Sequence, residues 1–395
     1  MVYHASVDSR RDARHCAGPQ RKNHTMSTRS SVSSVKVETV EVAAYTLPTD
    51  FPESDGTLAW DKTTIVISEV MAGGTRGLGY TYADVATASL VGDLLAGIVC
   101  GRDAMDVEGS WVEMVRAVRN LGRPGIASMA IAAVDSALWD LKARLLELPL
   151  LKLLGMVRDR VPVYGSGGFT SYSIRQLQEQ LQGWVGGGVT SVKMKIGRDP
   201  NDDLERVKAA REAIGRGAKL FVDANGAYSR KQALCFAEQF QKHGVSWFEE
   251  PVSSDDLEGL RLIRDRAPAR MEIAAGEYGY DLNYFHRMLQ IGAVDVLQAD
   301  ATRCGGITGF LKVGALCEAH GIPLSAHTAP SLHLPLGCAL PPLRHLEYFH
   351  DHVRIEAKLF DGVQAPVNGV LYPDLTRPGL GLELRRKEAE CHAAA

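Results

Sequence analysis

Eight short apolar runs in this 395-residue chain carry polar groups whose types could do chemistry together. "VPVYGSG" holds Tyr164, "SVKMKIG" Lys193 and Lys195, "LFVDANG" Asp223 and Asn225, and "SWFEE" Glu249. "EIAAGE" ends in Glu277, "VLQAD" in Asp300, "LSAHT" in His327, and "HLEYF" holds Glu347. If the runs are neighbouring strands, about 4.8 Å apart, the carboxylates of Asp223, Glu249 and Glu277 converge and repel one another at neutral pH. A cation must then sit among them, and an all-oxygen donor set suits Mg²⁺ better than zinc or copper.

Lys193 and Lys195 stand two apart, so in a strand they share a face. Two desolvated ammonium groups near a cation each hold their proton less tightly, and a lysine pKa is expected to fall toward working pH, where the amine serves as a base. Asp300 and His327 fall on consecutive runs and read as a dyad, the carboxylate fixing the imidazole tautomer and raising its basicity. A protonated Glu347 would donate to a developing oxyanion.

The runs recur about 20 to 30 residues apart with helical stretches between them, the length of one strand–loop–helix unit. This predicts an α/β fold with a closed parallel TIM-type barrel, whose strand C-terminal ends hold the site. No glycine-rich GxGxxG follows the first strand, which argues against a doubly wound sheet. Upstream, the text from Val35 reads as a strand, a long loop from Pro48 to Asp61 and a second strand, followed by three helical patterns. The loop carries Phe51 and Trp60 and suits a lid. With the turn "GLGYTYAD" it offers Asp55, Tyr80 and Tyr82 as hydroxyl-binding groups.

Hydrophobic content of 45%, charged content of 23% and a formal net charge of −3 suit a soluble protein and give no field for nucleic acid. No apolar run nears the roughly 20 residues that span a membrane. Seven cysteines, odd in number and without a CxxC, fit a reducing cytoplasm. The polar, Arg/His-rich start has no apolar signal core, so residues 1–34 read as a disordered or non-native extension, with Met26 an alternative start.

Taken together, "AIAAVDSALWDL", "KMK", "VDANG", "FEEP", "AGE", "DATRCGGITG" and "SAHT" resemble the enolase superfamily, and within it the mandelate racemase subgroup, over nearly the whole chain from Val35. The resemblance implies a (β/α)7β barrel over 161–354 and an N-terminal α+β capping domain over 35–160, completed by a C-terminal segment, 355–395. It implies that Asp223, Glu249 and Glu277 bind one Mg²⁺, that Lys195 is a base on one face, and that His327 with Asp300 is the acid/base on the other. Lys193 would tune Lys195 or touch the substrate carboxylate, and Glu347 would hydrogen-bond that carboxylate. Asn225, Tyr164, Trp60, Asp55 and Tyr80 are the further substrate contacts expected.

The implied reaction removes the proton α to a carboxylate, giving an enediolate; the favoured outcome is dehydration of a sugar acid, and the alternative is epimerisation. The sixth strand carries Asp300 and Arg303 with no strand-end lysine, which disfavours the cycloisomerase and dipeptide epimerase branches. A homo-oligomer acting on a small carboxylate is expected. Two other readings are a binding barrel without activity and a zinc hydrolase built on His345, His350 and His352, the last two of which are expected at a rim or subunit contact.

Overall fold

The structure, a computed structural model, describes residues 34–394. The extension expected over 1–34 lies, but for Ser34, outside the described residues. Three antiparallel strands open the chain: β1 (Val37–Ser54), β2 (Ala59–Ala72) and β3 (Thr75–Tyr82), in the order β1-β2-β3. The expected long loop is therefore a hairpin arm. Only residues 55–58 turn, and a register shift between Pro48 and Glu53 marks a bulge. Pro48 and Pro52 look like loop residues, but β1 is an edge strand and needs no donor on its free side.

"GLGYTY" is likewise strand rather than turn. Its glycines serve contact with the helix Ile126–Leu145: a Cβ at Gly77 or Gly79 would collide with the carbonyl of Ala137 or Ala133. That helix is Ala-rich and buried along most of its length, so sheet and helix approach closely.

All eight runs become barrel strands: β4 (Val161–Gly167), β5 (Ser191–Lys195), β6 (Lys219–Asp223), β7 (Val245–Glu249), β8 (Glu272–Ala275), β9 (Val296–Ala299), β10 (Leu324–Ala326) and β11 (Leu343–Phe349). They are parallel and close through β11 on β4, with Leu346 opposite Val163 and Glu347 opposite Tyr164. One helix follows each of the first seven, and another, His350–Leu359, follows β11. Inside, Tyr164, Phe221, Trp247, Ala274 and Val296 form a buried apolar layer.

The C-terminal segment returns to the first sheet. Thr46 donates its N–H to the His392 carbonyl at 2.8 Å, and Arg386 bonds Glu69 at 2.6 Å. Among the described residues, no helix is long and apolar enough to cross a membrane.

Candidate active site

Register builds the site. Lys195 lies opposite Asp223, and Asp223 opposite Glu249, so β5, β6 and β7 present one row of side chains at their C-terminal ends. Glu277 arrives two residues beyond β8, past Gly276, whose φ of 133° and contact with the Gln298 carbonyl leave no room for a Cβ. Ligand atoms of Asp223, Glu249 and Glu277 all lie within 4.8 Å of one another, and all three residues are buried.

Glu277 Oε2 has no hydrogen-bond partner among the described residues. Asp223, against the pull of burial, is held below the ordinary carboxylate range by the flanking Lys195 and Lys193. Glu249 is pushed above it by burial and by Asp223's charge. Three buried oxygens with an orphan acceptor and opposed charges fit a hard divalent ion, and these residues can hold Mg²⁺.

The two lysines do point together into the barrel mouth, but their expected direction of titration is corrected. Lys193 is fully buried and touches Glu249, Glu347 (2.7 Å) and Asp223 (3.2 Å); Lys195 bonds Asp223 at 2.6 Å. Burial disfavours both charges, yet the carboxylates override it. Lys193 is raised well above its ordinary value by Glu249 and Glu347, and Lys195 is raised chiefly by Asp223. A divalent charge among the carboxylates would offset the field that holds the Lys195 proton.

Glu347 is also corrected from donor to acceptor. It accepts from Ser166 Oγ at 2.6 Å and the Thr328 N–H at 3.1 Å. Burial would raise its pKa, but Lys193 wins and lowers it to about 2.

The dyad forms as expected from sequence. His327 Nδ1 lies 2.9 Å from Asp300 Oδ2. Against burial, His327 holds Asp300 well below the carboxylate range, so Asp300 accepts and Nδ1 donates. Nε2 then faces the cavity, 3.4 Å from Glu277 Oε2 and 3.8 Å from Glu347 Oε2. His333, which the sequence reading passed over, is buried behind. Its Nε2 accepts from the Ala301 N–H and its Nδ1 donates to the Thr328 carbonyl, both at 2.8 Å, tying together the loops after β9 and β10. Thr328 and Ala329 sit at φ 50° and 38°, strain concentrated beside the dyad.

A cavity of about 510 Å³ opens above these groups, lined by Lys195, Glu277, His327 and Glu347 together with Asp55, Trp60 and Asn225. Two expected contacts are not there. Tyr164 lies in the layer beneath, its ring 5.5 Å under Lys193 Nζ, because it faces the barrel interior one layer below the mouth. Tyr80 is buried deeper along β3, where its hydroxyl donates to Glu356 at 2.8 Å. Tyr82 reaches the cavity instead, stacked on His352 at 3.4 Å.

His352 is thus a cavity wall rather than a rim contact. His350 pairs with Asp50 at 3.3 Å and His345 bonds Ser325 inside the barrel, so the three histidines do not gather. Among the described residues, the carboxylate triad is the one such cluster that could hold a metal.

Arg303, Tyr278, Thr328 and Phe349 also line the cavity and were not singled out as contacts. Each carries a legible signal. Tyr278 and Thr328 directly follow Glu277 and His327, Phe349 shares a strand face with Glu347 two residues before it, and Arg303 stands three after Asp300. Arg303 donates to the Glu277 carbonyl at 3.2 Å and lies 5.0 Å over the Tyr278 ring.

Known proteins resemble this chain in sequence and fold. A family model described as enolase C-terminal domain-like matches residues 176–389, and one described as mandelate racemase / muconate lactonizing enzyme, N-terminal domain, matches residues 34–155. A solved mandelate racemase/muconate lactonizing enzyme-like protein from Rubrobacter xylanophilus is 58% identical, with a TM-score of 0.89 over 91% of this chain and 100% of that one. The 3,6-anhydro-alpha-L-galactonate cycloisomerase of Streptomyces coelicolor is 34% identical over 86% of this chain and 93% of its own. L-Talarate dehydratase from Polaromonas sp. JS666, solved with Mg and L-glucarate, is 31% identical, with a TM-score of 0.83 over 92% of this chain and 98% of that one. A cycloisomerase among these relatives runs against the expectation that the missing sixth-strand lysine disfavours that branch.

Proposed function

The chain belongs to the mandelate racemase and muconate lactonizing enzyme family of the enolase superfamily, and from that premise we propose that it dehydrates a sugar acid to a 2-keto-3-deoxy acid. The observation that carries the reading is the gathering at one barrel mouth of a buried carboxylate triad, Lys195 and the His327–Asp300 dyad. Asp223, Glu249 and Glu277 would hold Mg²⁺, which would supply charge stabilisation for the developing carboxylate dianion.

The chain's own groups move the protons. Lys195 Nζ or His327 Nε2, according to the configuration of the α-carbon, takes the α-proton. His327, as the imidazolium steadied by Asp300, gives a proton to the β-hydroxyl, which leaves as water. The resulting enol gains a proton at carbon and becomes the keto acid. Lys193, bonded to Glu249 and Glu347, keeps Glu347 ionised, and the wall of Trp60, Phe349 and Tyr82 limits water.

The cycloisomerase relative favours a second reading. The same proton removal with the leaving oxygen tethered in a ring opens or closes that ring and gives an isomer. A panel of mono- and diacid sugars, with their lactones and anhydro forms, assayed for keto-acid product and for mass, separates the two. Loss of one water supports dehydration; an isomer of unchanged mass supports the second reading. No α-proton exchange or product from any acid would overturn both.

A further inference from the structure

Where the strands begin, at the opposite end of the barrel, a second cavity measures about 940 Å³ against about 510 Å³ at the candidate site. Its wall is cationic. Six lysines and arginines face two carboxylates, a formal excess of four positive charges, in a chain whose net charge is −3.

Cations often gather at helix C-terminal ends to meet the exposed carbonyls, but here one residue already does this. Arg211 donates to the carbonyls of His243, Gly215, Ala218 and Gly244 at 2.6 to 3.1 Å. Arg344 is paired with Glu272 at 2.7 Å. Arg216, Lys219, Lys242 and Arg270 remain, all exposed on the cavity wall and without a carboxylate partner among the described residues.

The floor holds a buried ring nitrogen without a partner among the described residues. His345 lines the cavity, and its Nε2 is shielded from solvent and has no hydrogen-bond partner among the described residues. Ser325 Oγ lies 3.0 Å from Nδ1. With that hydroxyl donating, Nε2 carries the ring proton. Burial, and then Arg344 and Lys219, hold this imidazole down to about 3, which places it in a positive field. Tyr164 stands between it and the other mouth, its ring 4.8 Å from His345 and 5.5 Å from Lys193 Nζ.

We propose that this cavity is a second ligand site for a small, multiply charged oxyanion of the phosphate class, free or carried on an organic molecule. Exposed lysines and arginines alone hold such an ion weakly. Four cations without a carboxylate partner among the described residues, around a buried imidazole with its Nε2 protonated, give it both charge and orientation.

The test is calorimetric titration of the full Mg²⁺-loaded chain, at fixed ionic strength, with inorganic phosphate and separately with glycerol 3-phosphate. Saturable binding of one ion per chain is expected, weakened at least tenfold in Lys219→Gln/Arg270→Gln and weakened in His345→Phe, which keeps the ring volume. It should persist in His327→Asn and in a control pair, Lys36→Gln/Lys208→Gln, that removes the same charge elsewhere on the surface. Tighter binding of the ester assigns the carried form, and equal binding the free ion. Unsaturable heats in the unmodified chain, loss in His327→Asn, or equal affinity in the two double variants would overturn the proposal.

Discussion

Lys193 meets three carboxylates at once, and no position in the site depends more on its neighbours. The KxK spacing was legible because strand periodicity alone puts both ammonium groups on one face. The sign of their titration was not, because the carboxylates that override burial arrive from β6, β7 and β11, which sequence spacing cannot place to within an ångström. Lys195 and His327 approach one cavity from different strands, and this makes a stereochemical prediction. In deuterated water, Lys195→Ala should lose α-proton exchange by about 10²- to 10⁴-fold for substrates of one configuration, and His327→Asn for those of the other. Mass spectrometry of recovered substrate checks it, and unchanged exchange in both variants would remove the two-base arrangement.

The β1–β2 arm shows where element-level reading failed and why. Proline and glycine punctuation looks the same in a loop and on an edge strand, and β1 is the latter. The arm still brings Trp60 to the cavity. Its indole N–H donates to Glu53 at 2.9 Å and its ring packs edge-on to Phe169 at 5.7 Å. Trp60→Ala should therefore raise KM or lower kcat for the sugar acid that the panel identifies while leaving the melting temperature within a few degrees; steady-state kinetics and calorimetry read both.

Glu53 itself is 1% exposed. Burial, then Asp351, push its carboxyl up to about 8 from 4.5. Its proton leaves near pH 4.5 in the unfolded chain but is held to about pH 8 in the fold. Its contribution to stability is thus full below pH 4.5 and declines as pH rises through about 8, by on the order of 5 kcal/mol. Glu53→Gln should flatten the fall in denaturant stability across that window, and an unchanged pH profile would show that the carboxyl is not held neutral.

At the scale of the molecule the barrel was readable because each apolar run carries a polar group in it or just after it, a pattern that survives without knowledge of any contact. What lay beyond reach was depth: Tyr164 and Tyr80 have suitable hydroxyls, but one sits a layer too low and the other is taken up by Glu356. The triad's dependence on an ion gives a prediction for the whole protein. Excess chelator should abolish turnover and lower the melting temperature, Mg²⁺ should restore both, and Zn²⁺ should restore turnover poorly; full turnover in chelator would refute the assignment.

The seam between β4 and β11 has a consequence for how the protein is made. Ser166 and Glu347, which bond across it, are 181 residues apart. At about 5 to 20 residues per second of synthesis, β4 waits roughly ten to forty seconds on the ribosome for its partner. Throughout that interval one row of its main-chain donors and acceptors is open to any other extended strand. Slowing elongation ahead of β11 should therefore raise the insoluble fraction, while a nascent chain halted before Glu347 carries an incomplete mouth and no activity.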